Sequence, residues 1–334
     1  MITRTDVAKR AGVSVGTVSN VMNNKPFVKP EYVIKVKRAI EELNYIPDFT
    51  AKSLACRKSN HIGVAISELT NPYHAEIIEA MEKYAAERGY MVTTFLLDNK
   101  KPQKFDSICE RRLDGLVNFM TNDLPTNFVN ILQKQNTVLV NFAKDNSFIV
   151  VNDYSKAMLT FMRLLSSLGH KNVAYVSTID ILRFQADSRG KTFLSNRREL
   201  GLSEDDSLIF CNSDYSLRSE QIGYRLADEI FKVNPAITAV FATNDLCAIG
   251  LMKRFSEMGY SCPKDISIIG CDNIALSSYY IPSLCTIELD KKKYGRSIVK
   301  TIIEKIENPS KFPYKSLNFE AQTVLRDSVD KPSR

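Results

Sequence analysis

Side chains that commonly do chemistry are thinly spread in this 334-residue sequence. Its three histidines, His61, His74 and His170, lie far apart and offer no metal-ligand spacing. The seven cysteines (Cys56, Cys109, Cys211, Cys247, Cys262, Cys271, Cys285) are odd in number and form no Cys-x-x-Cys. That pattern fits reduced, mostly buried thiols in a cytoplasmic protein better than a disulfide framework. None of the thirteen glycines forms a Gly-x-Gly, so the phosphate-cradling dinucleotide fingerprint is absent, as are the P-loop and Gly-x-Ser-x-Gly. An oxidoreductase, hydrolase or metal enzyme therefore has no visible chemistry, and no catalytic residue, metal or cofactor is expected. What remains is binding chemistry. Asn244 and Asp272 follow two apolar runs, AVFAT and ISIIG. Polar groups there can cap the next helix or bind the hydroxyls of a small ligand.

Charge placement points to a second kind of partner. Residues 1–60 hold 11 Lys+Arg against 5 Asp+Glu, whereas the rest of the chain is nearly balanced. A basic end on a neutral body suits a polyanion, most often nucleic acid. The start, MITRTDVAKR, has no apolar signal core, and no apolar run is long enough for a transmembrane helix. Hydrophobic residues at 44% and charged residues at 25% are ordinary for a globular chain, and the length suggests two to three domains.

The elements that must position these groups can be read from periodicity. Thr3 and Asp6 form a capping pattern ahead of a helix over about 6–11, which Gly12 ends. Ser14 reads as the N-cap of a second helix running to about Met22, with Val18, Val21 and Met22 inward. Two helices joined by about three residues fit a helix-turn-helix. A third helix follows over about 31–43, then a Pro47-Asp48 break and a short helical stretch over 50–56. From Ile62 onward, apolar runs (62–66, 91–97, 114–120, 137–142, 172–177, 239–243, 266–270) alternate with helix-like segments. These segments lie near 75–88, 154–168, 189–200, 218–232 and 246–258. Such alternation predicts parallel sheets covered by helices on both faces, with enough chain for two lobes.

The ordered runs TDVAKRAGVSVGTVSNVMNN, AIEELNYIPDFTAKSL, NPYHAEIIEAME, SLGHKNVAYVS, AVFATNDLCAIG, CPKDISIIGCDN, IPSLCTIELD and FEAQTVLRDS resemble the lactose/galactose repressor (LacI/GalR) family of transcriptional regulators. The resemblance implies a helix-turn-helix headpiece over 1–45, a hinge with a minor-groove helix over 46–61, and a core over 62–334. That core would be shaped like periplasmic sugar-binding proteins. One lobe is expected at about 62–157 and 290–320, the other at about 158–289 and 321–334, with the chain crossing between them three times. The implied assembly is a homodimer or a tetramer on pseudo-palindromic operator DNA.

The resemblance further assigns residues. The second helix would lie in the major groove, with Ser14 on a phosphate and bases read from Val15, Gly16 and Asn20. Thr17, Ser19, Asn23, Lys29 and Tyr45 complete the expected DNA-contacting set in the headpiece. Asn20 stands where many members have Arg, so an adenine edge replaces guanine as its natural partner. Lys29 and Tyr32 stand where the family usually has Ser and Thr, which predicts a weaker cap on the third helix. Within the hinge, Ala51, Leu54 and Ala55 match a segment that folds on the operator, with Leu54 as a minor-groove wedge.

For the core, the resemblance implies an effector site formed by Tyr73, His74, Arg189, Asn244 and Asp272. Thr192 replaces a usual glycine and Cys271 a common aromatic, while Asp153 is expected to cap a helix. An Arg–Asp pair with an Asn suits a polyol, so the expected function is sugar-switched repression of a carbohydrate-utilisation operon. The alternatives are a purine- or protein-corepressed regulator and a sugar-binding transport protein. The basic helix-turn-helix and the missing signal peptide argue against transport.

Overall fold

The computed structural model describes residues 2–46, 58–98, 103–120, 124–141, 148–214, 216–312 and 316–333. The chain divides into two compact units, Met1–Asn60 and His61–Arg334.

The first unit contains α1 (Arg4–Ala11), α2 (Val15–Met22) and α3 (Pro30–Glu42). A reciprocal capping box starts α1: Thr3 Oγ1 accepts from the Asp6 amide, and the Asp6 carboxylate accepts from the Thr3 amide at 2.8 Å. Gly12, with φ 66°, ends it in the left-handed conformation that glycine adopts without penalty. Pro30 occupies the first turn of α3, where its missing N–H costs nothing, but Lys29 supplies no side-chain cap. Val7, Ala8, Ala11, Val18, Val21, Val36 and Ala39 form the core of this unit, joined by Tyr45, which is 7% exposed.

The second unit is built on two parallel sheets. In the first, β1 (His61–Ile66), β2 (Met91–Leu96), β3 (Gly115–Asn118) and β4 (Val138–Val140) run in the order β2-β1-β3-β4. In the second, β6 (Val173–Ser177), β7 (Ile209–Cys211), β8 (Ala239–Ala242) and β9 (Ser267–Ile269) run in the order β7-β6-β8-β9. Strand β5 (Ile149–Asp153) extends the first sheet through a bridge between Val140 and Phe148, and pairs in parallel with β11 (Ser316–Glu320). Strand β10 (Thr286–Glu288) joins the second sheet through Ile269 and Cys285, and pairs antiparallel with β12 (Gln322–Val324). The chain thus passes between the sheets three times, after β5, after β10 and between β11 and β12.

Helices cover the sheets as the alternating apolar runs require. They are α4 (Pro72–Glu87), α5 (Gln103–Cys109), α6 (Thr126–Lys134), α7 (Ser155–Leu168), α8 (Ile181–Ala186), α9 (Ser188–Asn196), α10 (Ser219–Val233), α11 (Asp245–Glu257) and α12 (Lys291–Glu307). Strands β1, β3, β4, β6, β8 and β9 are almost wholly buried, so they read as continuous apolar runs rather than alternating ones. None of the helices among the described residues is long and apolar enough to cross a membrane.

Candidate functional sites: a DNA-reading helix and an inter-sheet cleft

Helix α2 is held by its two ends and by one face. Ser14 Oγ accepts from the Thr17 amide at 3.0 Å and lies 2.9 Å from Thr17 Oγ1, so it caps the helix. Val18 and Val21 anchor the buried face. Val15, 42% exposed, and the exposed Gly16 sit in the first turn, with Thr17, Ser19 and Asn20 half-buried along the helix. Asn23 closes α2 and donates to Ser19 Oγ at 3.5 Å, while Lys29 is exposed. Tyr45, of the expected set, packs in the core of the unit. Ala51, Leu54, Ala55 and the helical stretch expected over 50–56 lie outside the described residues.

In the second unit, polar and aromatic side chains converge at the carboxyl ends of strands from both sheets. This is where open parallel α/β sheets place ligands. Asn71 caps α4 by accepting from the Tyr73 amide at 3.0 Å, which places Tyr73 and His74 in its first turn. The Tyr73 hydroxyl is a hydrogen-bonding neighbour of Tyr154, which sits just after β5. Tyr73 also faces Tyr294 from α12 and Cys271 and Asp272 from beyond β9. Burial raises the Tyr73 and Tyr154 hydroxyls far above the ordinary tyrosine range. The His74 ring stacks on Phe119 at 5.8 Å and 11°, and Phe119 stacks on Tyr294 at 6.2 Å.

Two buried polar atoms near these rings have no partner among the described residues: His74 Nδ1 and Asn152 Oδ1. Burial pushes His74 down to about 4, so it is neutral at pH 7 and offers one donor and one acceptor. Asn152 donates through Nδ2 to the Tyr294 hydroxyl at 3.5 Å. Unpaired buried polar atoms each cost about 1–3 kcal/mol, a cost that any water or ligand group pairing with them removes.

Arg189 is nearly buried over the Tyr154 ring, with its guanidinium carbon 4.9 Å from the ring centre. Its fork is already occupied. Nε donates to Asp187 Oδ1 and Nη2 to Asp187 Oδ2, both at 2.9 Å, and Nη1 donates to the Thr243 carbonyl at 2.8 Å. Asp187 also caps α9 by accepting from the Arg189 amide at 2.8 Å. Burial works against the charges of both groups, but their mutual attraction outweighs it, holding Asp187 below and Arg189 well above its ordinary range.

Asp272 lies near Arg189 and has an unusual backbone, with φ 113°, followed by Asn273 at φ 46°. Non-glycine residues in this region carry about 1–3 kcal/mol of strain, so something must hold them. Two groups do. Lys291, in the first turn of α12 and only 5% exposed, donates to the carbonyls of Asp272 and Asn273 at 2.7 and 2.9 Å. It also approaches Glu76 of α4 at 3.3 Å, bridging the two sheets. Asp245, fully buried at the start of α11, accepts from the Ile274 amide at 2.9 Å, from Ser277 Oγ, and from Thr286 Oγ1 at 2.5 Å. A methyl on Gly270 would lie 2.2 Å from Asp245 Oδ1, so only glycine fits there. Burial and then the charge of Asp245 push Asp272 well above the usual carboxylate range.

Tyr73, His74, Arg189 and Asp272 therefore lie near one another at these strand ends. Asn244 is engaged elsewhere. Its Oδ1 accepts from the Cys247 amide at 2.8 Å and its Nδ2 donates to Ser219 Oγ at 3.0 Å, capping α11. Asp153 accepts from the Ser155 amide at 2.9 Å at the start of α7. Thr192 is buried and donates to the Ser188 carbonyl at 2.7 Å. The close approach that a glycine would serve occurs at Gly190, where an added methyl would sit 2.0 Å from the Phe184 carbonyl oxygen. Sequence reasoning missed Phe119, Asn152, Tyr154, Asp187 and Tyr294. For Asp187 a signal existed, since an Asp two residues ahead of Arg189 at a helix start is a capping arrangement.

Comparison with known proteins agrees with both halves of this description. Residues 3–48 match the model for bacterial regulatory proteins of the lacI family, and residues 162–329 match a periplasmic binding protein-like domain. A relative from Pasteurella multocida, an HTH-type transcriptional repressor PurR, is 31% identical over 98% of this chain and 99% of its own. Among solved structures, the lac repressor dimer bound to operator and the anti-inducer ONPF superposes with a TM-score of 0.78. It is 24% identical, covering 98% of this chain and 99% of that one. A complex of the transcriptional regulator CelR with cellobiose superposes at 0.68, with 22% identity over 98% of this chain and 100% of that one. With its helix-turn-helix unit, its two-sheet core and full-length similarity to DNA-binding repressors rather than enzymes, this chain belongs to the lacI family of bacterial regulatory proteins.

Proposed function

We propose that this regulator represses a carbohydrate-utilisation operon and that a sugar bound in the inter-sheet cleft switches its operator affinity. The observation that carries the reading is the convergence of Tyr73, Tyr154, Arg189 and Asp272 beside two buried, unpartnered atoms, His74 Nδ1 and Asn152 Oδ1. Hydroxyls can pair with those atoms and with Asp272, while the aromatic rings cover a sugar face. The cellobiose bound by the CelR structure fits the same chemistry. The three crossings between the sheets supply a hinge, so a ligand that prefers one lobe angle shifts the equilibrium by its differential affinity.

In this reading residues 1–45 are the headpiece, 46–61 the hinge and 62–334 the effector and dimerisation core. Helix α2 enters the major groove, with Asn20 reading a base edge, Ser14 and Lys29 on phosphates, and Leu54 wedged in the minor groove. A second copy of the chain covers a groove of about 760 Å³ lined by Tyr224, Ile249, Met252, Tyr280, Ile281 and Pro282. Beside it Ile281 is 96% and Tyr279 81% exposed, an apolar cost that a homodimer removes. Sedimentation of Ile281→Asp tests this: a monomer is expected, and an unchanged dimer assigns the interface elsewhere.

A planar base is the second reading, favoured by the nearly parallel His74 and Phe119 rings. A thermal-shift panel of ribose, glucose, cellobiose, guanine and hypoxanthine separates them. A ligand at about 100 times its dissociation constant stabilises by about 2.7 kcal/mol. A shift with a sugar that is lost in Arg189→Ala supports the proposal. A shift with a base alone replaces it.

A further inference from the structure

We propose that Asp187 sets the charge class of the effector: by occupying the fork of Arg189, it makes the cleft accept uncharged ligands and refuse phosphorylated or carboxylated ones. The inference rests on the reading of the cleft as the effector site. It names a residue and a selectivity that the similarity to other regulators does not supply.

A guanidinium has five N–H donors in a planar fork that suits carboxylate or phosphate. At Arg189 the fork faces Asp187, through Nε and Nη2 at 2.9 Å each. One Nη1 proton goes to the Thr243 carbonyl, and Nη1 also lies 3.8 Å from the Cys271 thiol. What Arg189 can still offer a ligand is a single N–H on Nη2, enough for one hydroxyl and too little for an oxyanion.

The remaining charges point the same way. The other nearby cations are also engaged: Lys291 is turned toward the carbonyls of Asp272 and Asn273 and toward Glu76, and Arg326 donates to Asn273 Oδ1 at 2.6 Å and to the Leu284 carbonyl at 2.8 Å. Asp272 lies close to both Arg189 and Lys291, but each of these already has partners, and burial favours the neutral form of the Asp272 carboxyl. A phosphate entering beside Asp272 meets no free fork, so its charge would be buried without a paired cation. A neutral polyol meets the opposite: Asp272 accepts its hydroxyl protons, Nη2 donates to a hydroxyl oxygen, and His74 Nδ1 gains a partner. Asp187 is thus a specificity residue acting through Arg189, and its helix cap keeps the pair rigid.

Asp187→Asn tests this cleanly, because Asn caps a helix as well as Asp does while losing the charge and the second acceptor. The probe is inorganic phosphate, titrated into full-length protein against sodium chloride of equal ionic strength and read by thermal shift. Arg189→Gln supplies the background from the basic headpiece. Wild type and Arg189→Gln should respond alike, whereas Asp187→Asn should bind phosphate at least tenfold more tightly. That gain should vanish in the Asp187→Asn/Arg189→Gln double variant. A wild-type response that depends on Arg189, or a folded Asp187→Asn variant with no gain, overturns the proposal. The wild type alone gives a second test, with ribose against ribose 5-phosphate: preference for the phosphorylated form overturns the proposal even if the variant does not fold. Failure of the sugar panel would remove the effector assignment and leave the phosphate comparison to judge Asp187 independently.

Discussion

Replacing Asp245 by Asn should make the core less dependent on pH, in a direction fixed by the surroundings of that carboxyl. Asp245 is fully buried and holds the segment that carries Asp272, through Ile274, Ser277 and Thr286. Burial pushes its carboxyl up to about 6, from 3.8, despite the hydrogen bonds it accepts. The folded state therefore binds this proton more tightly than the unfolded chain does. Stability from this group is fully present below about pH 3.8 and is lost as pH rises through about 6. Between pH 5.0 and 7.5 the linkage amounts to about 1.4 kcal/mol, with wild type gaining at pH 5.0. Asp245→Asn lacks the group and should not show that gain. Asn can still accept from the Ile274 amide, and the two hydroxyls can turn to receive its N–H donors. Asp272 titrates in both proteins and largely cancels in the difference, apart from the repulsion between the two carboxyls. The assay is urea unfolding of both proteins at the two pH values, monitored on the core. A wild-type-minus-variant difference that stays constant between pH 5.0 and 7.5, or favours wild type at pH 7.5, would refute the reasoning.

Further outcomes follow from the same structure. Asn20→Ala should cost about 1–3 kcal/mol at one operator position with the salt slope unchanged, whereas Lys29→Ala should weaken all duplexes alike and lower that slope by about one. Binding isotherms at several salt concentrations separate these two effects. Tyr45→Phe should leave operator affinity within about twofold, because the ring packs in the headpiece core; a larger loss at unchanged headpiece stability would restore Tyr45 as a DNA contact. Gly190→Ala should destabilise the core by about 1–3 kcal/mol in chemical denaturation, since its methyl would overlap the Phe184 carbonyl.

Much of the fold was legible because its signals are local. The Thr3–Asp6 box, the Ser14 cap and the Val18/Val21 stripe mark α1 and α2 by residue type and spacing alone. Buried parallel strands such as β1, β6 and β8 announce themselves as unbroken apolar runs. The short strands β10 (Thr286-Ile287-Glu288) and β12 (Gln322-Thr323-Val324) carry three residues each and no such run, so only their pairing defines them. The cleft was half-visible for a related reason. Arg189 and Asp272 could be assigned by resemblance, but Tyr154, Asn152 and Tyr294 reach it through the register of β5 and the rotation of α12, which sequence spacing does not fix. Lys291-Lys292-Lys293 reads as a solvated run of charge. The fold buries Lys291 alone, because the first turn of α12 faces the carbonyls of the strained 272–273 turn. Asn244 shows the reverse: a polar residue after a strand looks like a ligand-binding group, yet its Oδ1 caps α11 and its Nδ2 donates to Ser219 at the start of α10.

The central claim, that this chain is a DNA-reading switch, is tested most directly by selection from a random duplex pool with the purified full-length protein. The affinity of the selected site is then measured with and without the ligand found by thermal shift. The account predicts an enriched pseudo-palindromic site, bound at least about 10³-fold more tightly than random DNA at the same salt. The ligand should change that affinity by about 5- to 150-fold, as expected for typical allosteric coupling. No enriched sequence, or a selected site whose affinity ignores a ligand that binds the cleft, would contradict it.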